Sequence, residues 1–377
     1  MAVTEDGMKA IALVEARDHV CCRYRVRAFE GALAGAGWSL AIEPLATGLL
    51  ARLAQFRRLG RFDSVLLQRK LLPGWQLDLL RRHSRHLVFD FDDAVLYRDS
   101  NDRRGPHHRR RSGRFIRTVQ LADEVIAGNA FLADCALKGG AHPSRVRVIP
   151  TCIETRHGFE ALPSTRPPAG MDLVWIGSAS TLAGLARQRP TWERVGREVP
   201  GVRLKMVCDR FLRFDPLPVV AVPWSEPTER RDVASADVGI SWVPDDLWSR
   251  GKCGLKVLQY QAAGLPVLAN PVGVHPEMIR HGVDGFLVST PDEWVDAVRK
   301  LAEQPGLRRR MGRAARASLE ANYSVEAWEP AFVEAVAGPR PPIPDDGGPP
   351  KARAAAARDP RRGGDVTSTG PKSLASP

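Results

Sequence analysis

The sequence lacks the features that mark membrane-spanning, secreted and zinc-binding proteins. No apolar run approaches the roughly 20 residues that a membrane-spanning helix needs. The start, MAVTEDGMKAIALVEARDH, opens with acidic residues and holds only a short apolar stretch, so we expect no signal peptide. The six cysteines form no CxxC pair and no zinc-finger spacing. We interpret them as free thiols in a reducing cytosol, and we expect a cytoplasmic protein without a metal site.

An excess of basic residues is the main compositional feature of the 377-residue chain, whose formal net charge is +12. Residues 1–160 contain 26 basic and 18 acidic side chains, whereas residues 161–337 contain 22 and 21. Residues 338–377 contain 7 and 4, and they include no aromatic residue. A segment of this last composition cannot bury enough apolar surface to fold, so we predict a disordered tail. Net charge alone does not choose among nucleic acid, an anionic membrane and an acidic substrate as the partner.

Short apolar runs alternate with amphipathic stretches along the chain, which is typical of parallel strands joined by helices. We predict an α/β protein with two Rossmann-like, doubly wound lobes that face a central cleft. Ligands of such sheets bind at the carboxyl ends of the strands. The predicted strands of the first lobe are Lys9–Glu15, Ser39–Pro44, Ser64–Gln68, Leu87–Asp90, Glu124–Ala127 and Arg147–Ile149. Those of the second lobe are Asp172–Ile176, Arg203–Val207, Val219–Val222, Val238–Trp242, Pro266–Ala269 and Gly285–Val288.

The boundary between the lobes is predicted at a proline-rich stretch. ALPSTRPPAG, residues 161–170, has the composition of a linker. The predicted organisation is a flexible amino terminus at 1–8, a first lobe at 9–160, this linker, a second lobe at 171–337 and the tail at 338–377.

The most informative segment is residues 251–275, GKCGLKVLQYQAAGLPVLANPVGVH. Gly254 precedes a predicted helix from Leu255 to Ala263, and Gly264 ends it. The amino terminus of a helix presents unpaired N–H groups and the positive end of the dipole, so it favours a phosphate. Lys252 and Lys256 add positive charge there, and the amide of Gln259 lies one turn further along, within reach of a ribose.

This segment resembles the retaining GT-B glycosyltransferases of family 4, the glycosyl transferases group 1. Their pattern is E-x-F-G-x-x-x-x-E-A-x-A-x-G-x-P-V, followed by G-G-x-x-E and then by G-x-x-G-x-L. The matching positions here are Cys253-Gly254-Leu255, Ala262 to Val267, Gly273, Glu277 and Gly282 to Leu287. Gly251 and Gln259 stand where the pattern has glutamate. The segment GKCGLK is similar to the corresponding segment of a subgroup encoded in polysaccharide biosynthesis clusters, which serve the cell envelope.

The resemblance implies that the second lobe binds a nucleotide-diphosphate sugar as donor. The amides of Gly254 and Leu255 would hold the diphosphate beside Lys252, and Gln259 would hold the ribose without the charge of a glutamate. Lys256 and the helix terminus would stabilise the charge that develops on the leaving phosphate, so Lys256 is a candidate catalytic residue.

Two further segments of the second lobe fit the same resemblance. Gly177 and Ser178 follow a predicted strand, in a turn where the backbone can approach a diphosphate. Trp224 lies where the family contacts the base of the donor, with packing inside the lobe as the alternative.

In the first lobe, Cys21-Cys22-Arg23-Tyr24-Arg25 resembles an S-x-R-Y-R segment of the same subgroup. The resemblance implies that Arg23 and Arg25 meet the diphosphate or an anionic acceptor. A solvated first helical turn is the alternative.

The strand end Leu87-Val88-Phe89-Asp90-Phe91-Asp92-Asp93 allows three interpretations. Phosphatases of the haloacid dehalogenase type use such a D-x-D with the first Asp as nucleophile, and GT-A glycosyltransferases use D-x-D to hold a divalent metal. Here the strand is about the fourth of its lobe rather than the first, and the later phosphatase motifs have no convincing order. In family 4 the matching strand end contacts the donor sugar, so Asp92 and Asp93 are candidate catalytic residues. A helix N-cap is the alternative for either.

We therefore expect a retaining glycosyltransferase that uses no metal or other cofactor and acts on a glycan or lipid-linked acceptor hydroxyl. Residues 49–61, LLARLAQFRRLGR, form a basic amphipathic helix that either packs on its own lobe or contacts the inner face of an anionic membrane. The alternatives are a Mg²⁺-dependent D-x-D phosphatase and a basic nucleic-acid-binding protein. Because known nucleic-acid-binding motifs are missing, we expect no nucleic-acid partner.

Overall fold

The computed structural model of the protein describes residues 7–155 and 170–338. The first six residues, most of the predicted linker and nearly all of the predicted tail lie outside the described residues.

Six parallel strands form the first sheet, in the order β2-β1-β3-β4-β5-β6. They are β1 Met8–Val14, β2 Trp38–Pro44, β3 Ser64–Gln68, β4 His86–Phe91, β5 Glu124–Ala127 and β6 Val146–Val148. The helices of this part of the chain are α1 Val20–Arg25, α2 Glu30–Gly35, α3 Leu49–Arg58, α4 Gly74–His83, α5 Arg109–Leu121 and α6 Ala130–Lys138. Short 3₁₀ turns lie at Arg27–Phe29, Leu59–Arg61 and Pro143–Arg145.

Six parallel strands also form the second sheet, in the order β12-β11-β10-β7-β8-β9. They are β7 Met171–Ile176, β8 Val202–Cys208, β9 Val219–Pro223, β10 Val238–Ser241, β11 Val267–Ala269 and β12 Gly285–Leu287. The helices are α7 Ala179–Arg187, α8 Arg189–Glu198, α9 Glu229–Ala234, α10 Leu247–Arg250, α11 Leu255–Ala262, α12 His275–Met278, α13 Pro291–Glu303, α14 Pro305–Asn322 and α15 Val325–Ala337.

The inner strands are mainly apolar because both faces of each sheet are covered. In β1, Ile11 and Leu13 pack into one cluster, whereas Ala10 and Ala12 pack into another on the opposite face. All residues of β3 and β7 are buried. Every predicted strand is present, with each end within one residue of its predicted position. The predicted fold class is therefore confirmed.

Helix α15, the last helix of the described residues, packs on the first sheet, although the prediction grouped its residues with the second lobe. Val325, Phe332 and Val336 are buried in the cluster that contains Val14. The ring of Phe332 stacks on that of Phe29, with 4.2 Å between the centroids. The sequence does not show which sheet α15 covers, because an amphipathic helix has the same pattern of apolar residues on either sheet.

The predicted amphipathic segment 49–61 divides between core and surface. Phe56 and Leu59 are buried in the first lobe, which matches the packing alternative, whereas Leu49 and Leu50 at the start of α3 are exposed. Within the two described ranges, no helix combines the length and apolar character needed to cross a membrane.

Candidate active site

Loops at the carboxyl ends of the first sheet contact the segment that precedes α11. Asn129, two residues after the end of β5, donates from its side-chain amide to the carbonyl oxygens of Arg250 and Lys252, at 3.3 and 3.2 Å. Its Oδ1 accepts from Leu132 N and caps α6, so the side chain is fixed from both ends. The loop Gly251–Gly254 is thereby held against the first lobe.

Gly254 gives α11 an unusual start. Its φ of 65° is left-handed, and a Cβ there would overlap the sulfur of Met278, so only glycine fits. The first intrahelical bond runs from Leu258 N to Gly254 O at 3.2 Å. The N–H groups of Leu255, Lys256 and Val257 have no acceptor within the helix. They form the positive end of the helix dipole.

Lys256 lies in the first turn of α11 and has no ion-pair partner among the described residues. Its Nζ lies 5.5 Å from the centre of the Trp175 ring. Burial and, as a smaller cause, the charge of Lys252 lower the pKa of Lys256 to about 8. A buried ammonium group without a counter-ion is stabilised by an anion that binds next to it.

A buried histidine close to Lys256 was missed by the sequence reasoning. His275 Nδ1 lies 2.8 Å from the Asn270 carbonyl oxygen, and Nε2 lies 3.1 Å from Ser241 Oγ. Because a carbonyl only accepts, Nδ1 donates and Nε2 accepts from the serine hydroxyl, so the ring is neutral. Burial lowers the pKa of His275 to about 4, which keeps it neutral near pH 7.

Gly251, where the family pattern has glutamate, touches the first lobe. A Cβ at this position would lie 2.6 Å from Ala94 Cβ and 2.7 Å from Ala94 N. The turn after β4 thus fills the space into which a larger side chain would extend. This contact is a physical reason for glycine here.

Asp92 and Asp93, the two predicted catalytic carboxylates, lie in this turn and face cations. Arg69 Nε is 3.3 Å from Asp92 Oδ1, and Arg69 Nη2 is 2.5 Å from Asp93 Oδ2. Lys252 Nζ is 4.0 Å from Asp93 Oδ1. Burial raises the pKa of Asp93, against the effect of Lys252 and then of Arg69. The sequence reasoning missed Arg69, although its position directly after a strand was a usable signal.

The same two aspartates and Cys21 have ligand atoms within 4.8 Å of one another, a spacing that a metal ion could share. The guanidinium of Arg69 contacts all three side chains, so it supplies positive charge at that point. The expectation that the reaction needs no metal stays a prediction.

Arg25 does not reach the cleft, contrary to the prediction that it meets the diphosphate or the acceptor. It is 1% exposed, pairs with the buried Asp90 and donates to the Ile149 carbonyl oxygen at 2.6 Å. Burial raises the pKa of Asp90, against the effect of Arg25. Because Asp90 is fully buried and paired, it is not placed as the nucleophile of a phosphatase.

Arg23, Trp224 and Gln259 meet in one hydrogen-bond network that joins the two lobes. Glu229 accepts from Arg23 Nη2 at 2.5 Å, from the Tyr24 hydroxyl at 2.9 Å and from Trp224 Nε1 at 3.0 Å. Gln259 Nε2 donates to the Tyr24 hydroxyl at 3.3 Å. The predicted base and ribose residues are thus brought together, with Gln259 buried against the first lobe. No sequence signal indicated Glu229.

The turn after β7 places Gly177 and Ser178 as predicted, at the end of a strand. A Cβ on Gly177 would lie 2.6 Å from the Trp175 ring, so glycine is required. The Ser178 N–H donates to Thr181 Oγ1 at 3.2 Å, and the Ala179 N–H donates to Asp209 Oδ1 at 2.8 Å. These amides therefore have local partners in this conformation.

One segment of the second lobe matches a known protein family. Residues 247–318 match the family model described as "Glycosyl transferases group 1". This match confirms, for that segment, the resemblance seen in the sequence. Retaining chemistry and the subgroup stay predictions.

Two curated relatives are similar to this chain over a short stretch of fewer than 70 residues. The D-inositol 3-phosphate glycosyltransferase of Actinosynnema mirum is 46% identical over 57 residues, which are 15% of this chain and 14% of that protein. The protein of the same name from Streptomyces griseus is 44% identical over 66 residues, 17% of this chain and 14% of that protein. The match thus spans only about a seventh of the length of these relatives.

Solved structures share the fold over nearly their whole length. Anabaena HepE in complex with UDP-glucose superposes with a TM-score of 0.61 at 13% identity, covering 86% of this chain and 98% of that one. Sucrose-phosphate synthase from Thermosynechococcus elongatus gives a TM-score of 0.63 at 16% identity, covering 86% and 97%. At these identities the likeness concerns the fold.

Proposed function

We propose that the protein is a retaining, metal-independent glycosyltransferase. It moves a sugar from a nucleotide-diphosphate sugar to the hydroxyl of a glycan or a lipid-linked acceptor, as in the assembly of cell-envelope polysaccharide. The observation that carries this proposal is the amino terminus of α11, where Lys256 lies beside Lys252 without an ion-pair partner among the described residues. A diphosphate supplies the missing negative charge.

The chemistry follows from where charge develops. As the bond between the anomeric carbon and the donor phosphate breaks, negative charge grows on the diphosphate. The free amides of α11 and the ammonium of Lys256 stabilise that charge, which lowers the barrier. The leaving phosphate takes the proton of the attacking acceptor hydroxyl, so the protein provides no nucleophile. Asp92 and Asp93 face the sugar from the first lobe.

The donor is tested by binding and turnover. The purified chain is titrated with UDP-, GDP- and ADP-sugars in a calorimeter, with and without EDTA, and donor hydrolysis is followed by chromatography. The solved complex of HepE with UDP-glucose makes UDP-glucose the first donor to try. We expect binding of at least one donor, unaffected by EDTA. Absence of binding and hydrolysis for the whole panel refutes the proposal.

The stereochemistry has its own test. Once a donor and acceptor pair is found, the anomeric configuration of the product is read by NMR. A product with the configuration of the donor supports the retaining assignment, and an inverted product refutes it.

We also propose that the first lobe contacts an anionic membrane, where a lipid-linked acceptor resides. Leu50 is 81% exposed at the start of α3, and Trp75 is 52% exposed at the start of α4. The two helix starts are adjacent, because Arg52 Nη1 donates to Gln76 Oε1 at 2.9 Å. Exposed apolar side chains among arginines suit the interface of an anionic bilayer.

Vesicle sedimentation tests the membrane contact. We expect binding to vesicles with phosphatidylglycerol, weaker binding to phosphatidylcholine alone, and loss of binding in a Leu50→Asp, Trp75→Asp variant. Exposed Val283 of the second lobe, changed to Asp, is the matched control. Equal binding by both variants refutes this contact and leaves the glycosyl transfer untouched.

A further inference from the structure

Arg69, which the proposed function does not use, has a backbone conformation that side chains disfavour. Its φ is 58°, the one left-handed value among the non-glycine residues of 7–155 and 170–338. Its N–H donates to the Asp90 carbonyl oxygen at 2.8 Å. A residue is held in such a conformation only where its surroundings fix it, and such sites occur at functional positions.

The surroundings of Arg69 are the side chains of two elements. Its guanidinium contacts Cys21 of α1 together with Asp92 and Asp93 of the turn after β4. Each contact uses a different nitrogen of the planar fork. A lysine has one ammonium and cannot reproduce this arrangement.

The Asp92–Asp93 turn connects Arg69 to the loop that opens α11. Asp93 bridges two cations, because one carboxylate oxygen faces Arg69 while the other lies 4.0 Å from Lys252 Nζ. The thiol of Cys253 donates to the Asp92 carbonyl oxygen at 3.2 Å. Gly251 packs on Ala94, the next residue of the turn. The contacts thus run without interruption from Arg69 to the proposed diphosphate site.

We propose that Arg69 is a positioning residue: it fixes the Asp92–Asp93 turn and, through Asp93, sets the place of Lys252 beside the donor diphosphate. The inference rests on the proposed function. The side-chain contacts of Arg69 are with Cys21, Asp92 and Asp93, so in this proposal its effect on donor binding passes through Lys252.

A double-mutant cycle tests this path. The probe is whichever of UDP, GDP and ADP the wild-type chain binds most tightly, and the dissociation constant is measured by calorimetry. We expect Arg69→Gln to weaken binding about threefold to tenfold, which corresponds to the loss of roughly one ordinary hydrogen bond. Because the effect passes through Lys252, Arg69→Gln combined with Lys252→Ala should bind as Lys252→Ala alone. Additive losses overturn the inference, as does wild-type affinity in Arg69→Gln.

Two further variants separate positioning from stability and from charge. Arg69→Gly relieves the backbone, so we expect a smaller fall in melting temperature than for Arg69→Gln but the same loss of affinity. Arg69→Lys keeps the charge and should recover less than half of the lost binding free energy. Full affinity in either variant overturns the inference. Arg85→Gln, an exposed arginine of the same lobe paired with Asp63, is the control and should bind as wild type.

The outcomes also distinguish this inference from the proposed function. If the wild-type chain binds none of the three nucleotides, the proposed function fails and the inference fails with it. If it binds one of them and the Arg69 variants behave as wild type, only the inference fails.

Discussion

Arg25 of helix α1 and Lys256 of helix α11 belong to different lobes and differ in what surrounds their charge. Arg25 is buried against the carboxylate of Asp90, which is itself fully buried. Lys256 has an aromatic ring and a second lysine as neighbours, and its pKa falls to about 8. A buried cation with a dedicated carboxylate belongs to the scaffold of its lobe. A cation without one is stabilised by an incoming anion.

Breaking the ion pair of Arg25 with Asp90 should give the largest change, a loss of folding stability. Asp90→Asn leaves the guanidinium buried without a counter-charge, and we expect a loss of about 3–5 kcal/mol in the free energy of unfolding. Chemical denaturation followed by circular dichroism measures it. Asp78→Asn breaks an exposed pair with Arg117 and should cost less than about 1 kcal/mol. Similar losses in the two variants would mean that Arg25 and Asp90 are not a structural pair.

Removing Lys256 should affect binding instead of folding. Lys256→Ala deletes a charged contact worth about 1.5–3 kcal/mol, so we expect nucleotide-diphosphate binding to weaken roughly 10- to 100-fold. The melting temperature should stay or rise, because a poorly compensated charge is removed. Lys138→Ala, at an exposed position of the first lobe, serves as the control in the same calorimetric titration. Unchanged affinity in Lys256→Ala would exclude this lysine from the site.

Restoring the family glutamate at position 251 tests how closely the two lobes are packed. In Gly251→Glu the new Cβ meets the backbone of Ala94, and overpacking of this kind costs about 1–3 kcal/mol. Differential scanning calorimetry should show a lower melting temperature than for Gly31→Glu, where no atom lies within 4 Å of the new Cβ. Equal melting temperatures would indicate that the turn after β4 moves aside easily.

The smallest expected effect is the change of diphosphate affinity with pH. Protonated Lys256 binds the diphosphate, so affinity is highest below a pH of about 8 and falls above it. We expect a loss of up to about tenfold between pH 7 and 9, and a flatter profile in Lys256→Ala. Folding responds in the opposite direction. The lowered pKa makes the folded protein gain stability as the pH rises from about 8 toward 10.5. A wild-type profile as flat as that of Lys256→Ala would contradict this assignment.

The parts of the site that sequence predicts well are those set by local backbone geometry. The strand ends, Gly177 and the Gly254 start of α11 follow from apolar runs and glycine positions, and the structure places them at the carboxyl edges of the sheets. Lys252 and Lys256 were also found from their places beside the same helix start, and the family resemblance added the roles that we propose for them.

The parts that sequence did not predict depend on partners far along the chain. Arg25 and Asp90 are 65 residues apart, and Tyr24 and Glu229 are 205 apart. Whether an arginine meets a ligand or a buried carboxylate depends on what the other segment carries, and spacing does not encode this. The close approach of Gly251 to Ala94 is likewise visible only once both lobes are in place.

The position of α15 has a consequence for the order in which the protein is made. Phe29 leaves the ribosome well before Phe332, yet the rings of these two residues stack on each other. The first lobe therefore cannot complete its core until Phe332 and Val336 have been synthesised, and until then part of its apolar surface stays uncovered. The second sheet differs in this respect, because its two clusters of buried described residues contain no residue of α15.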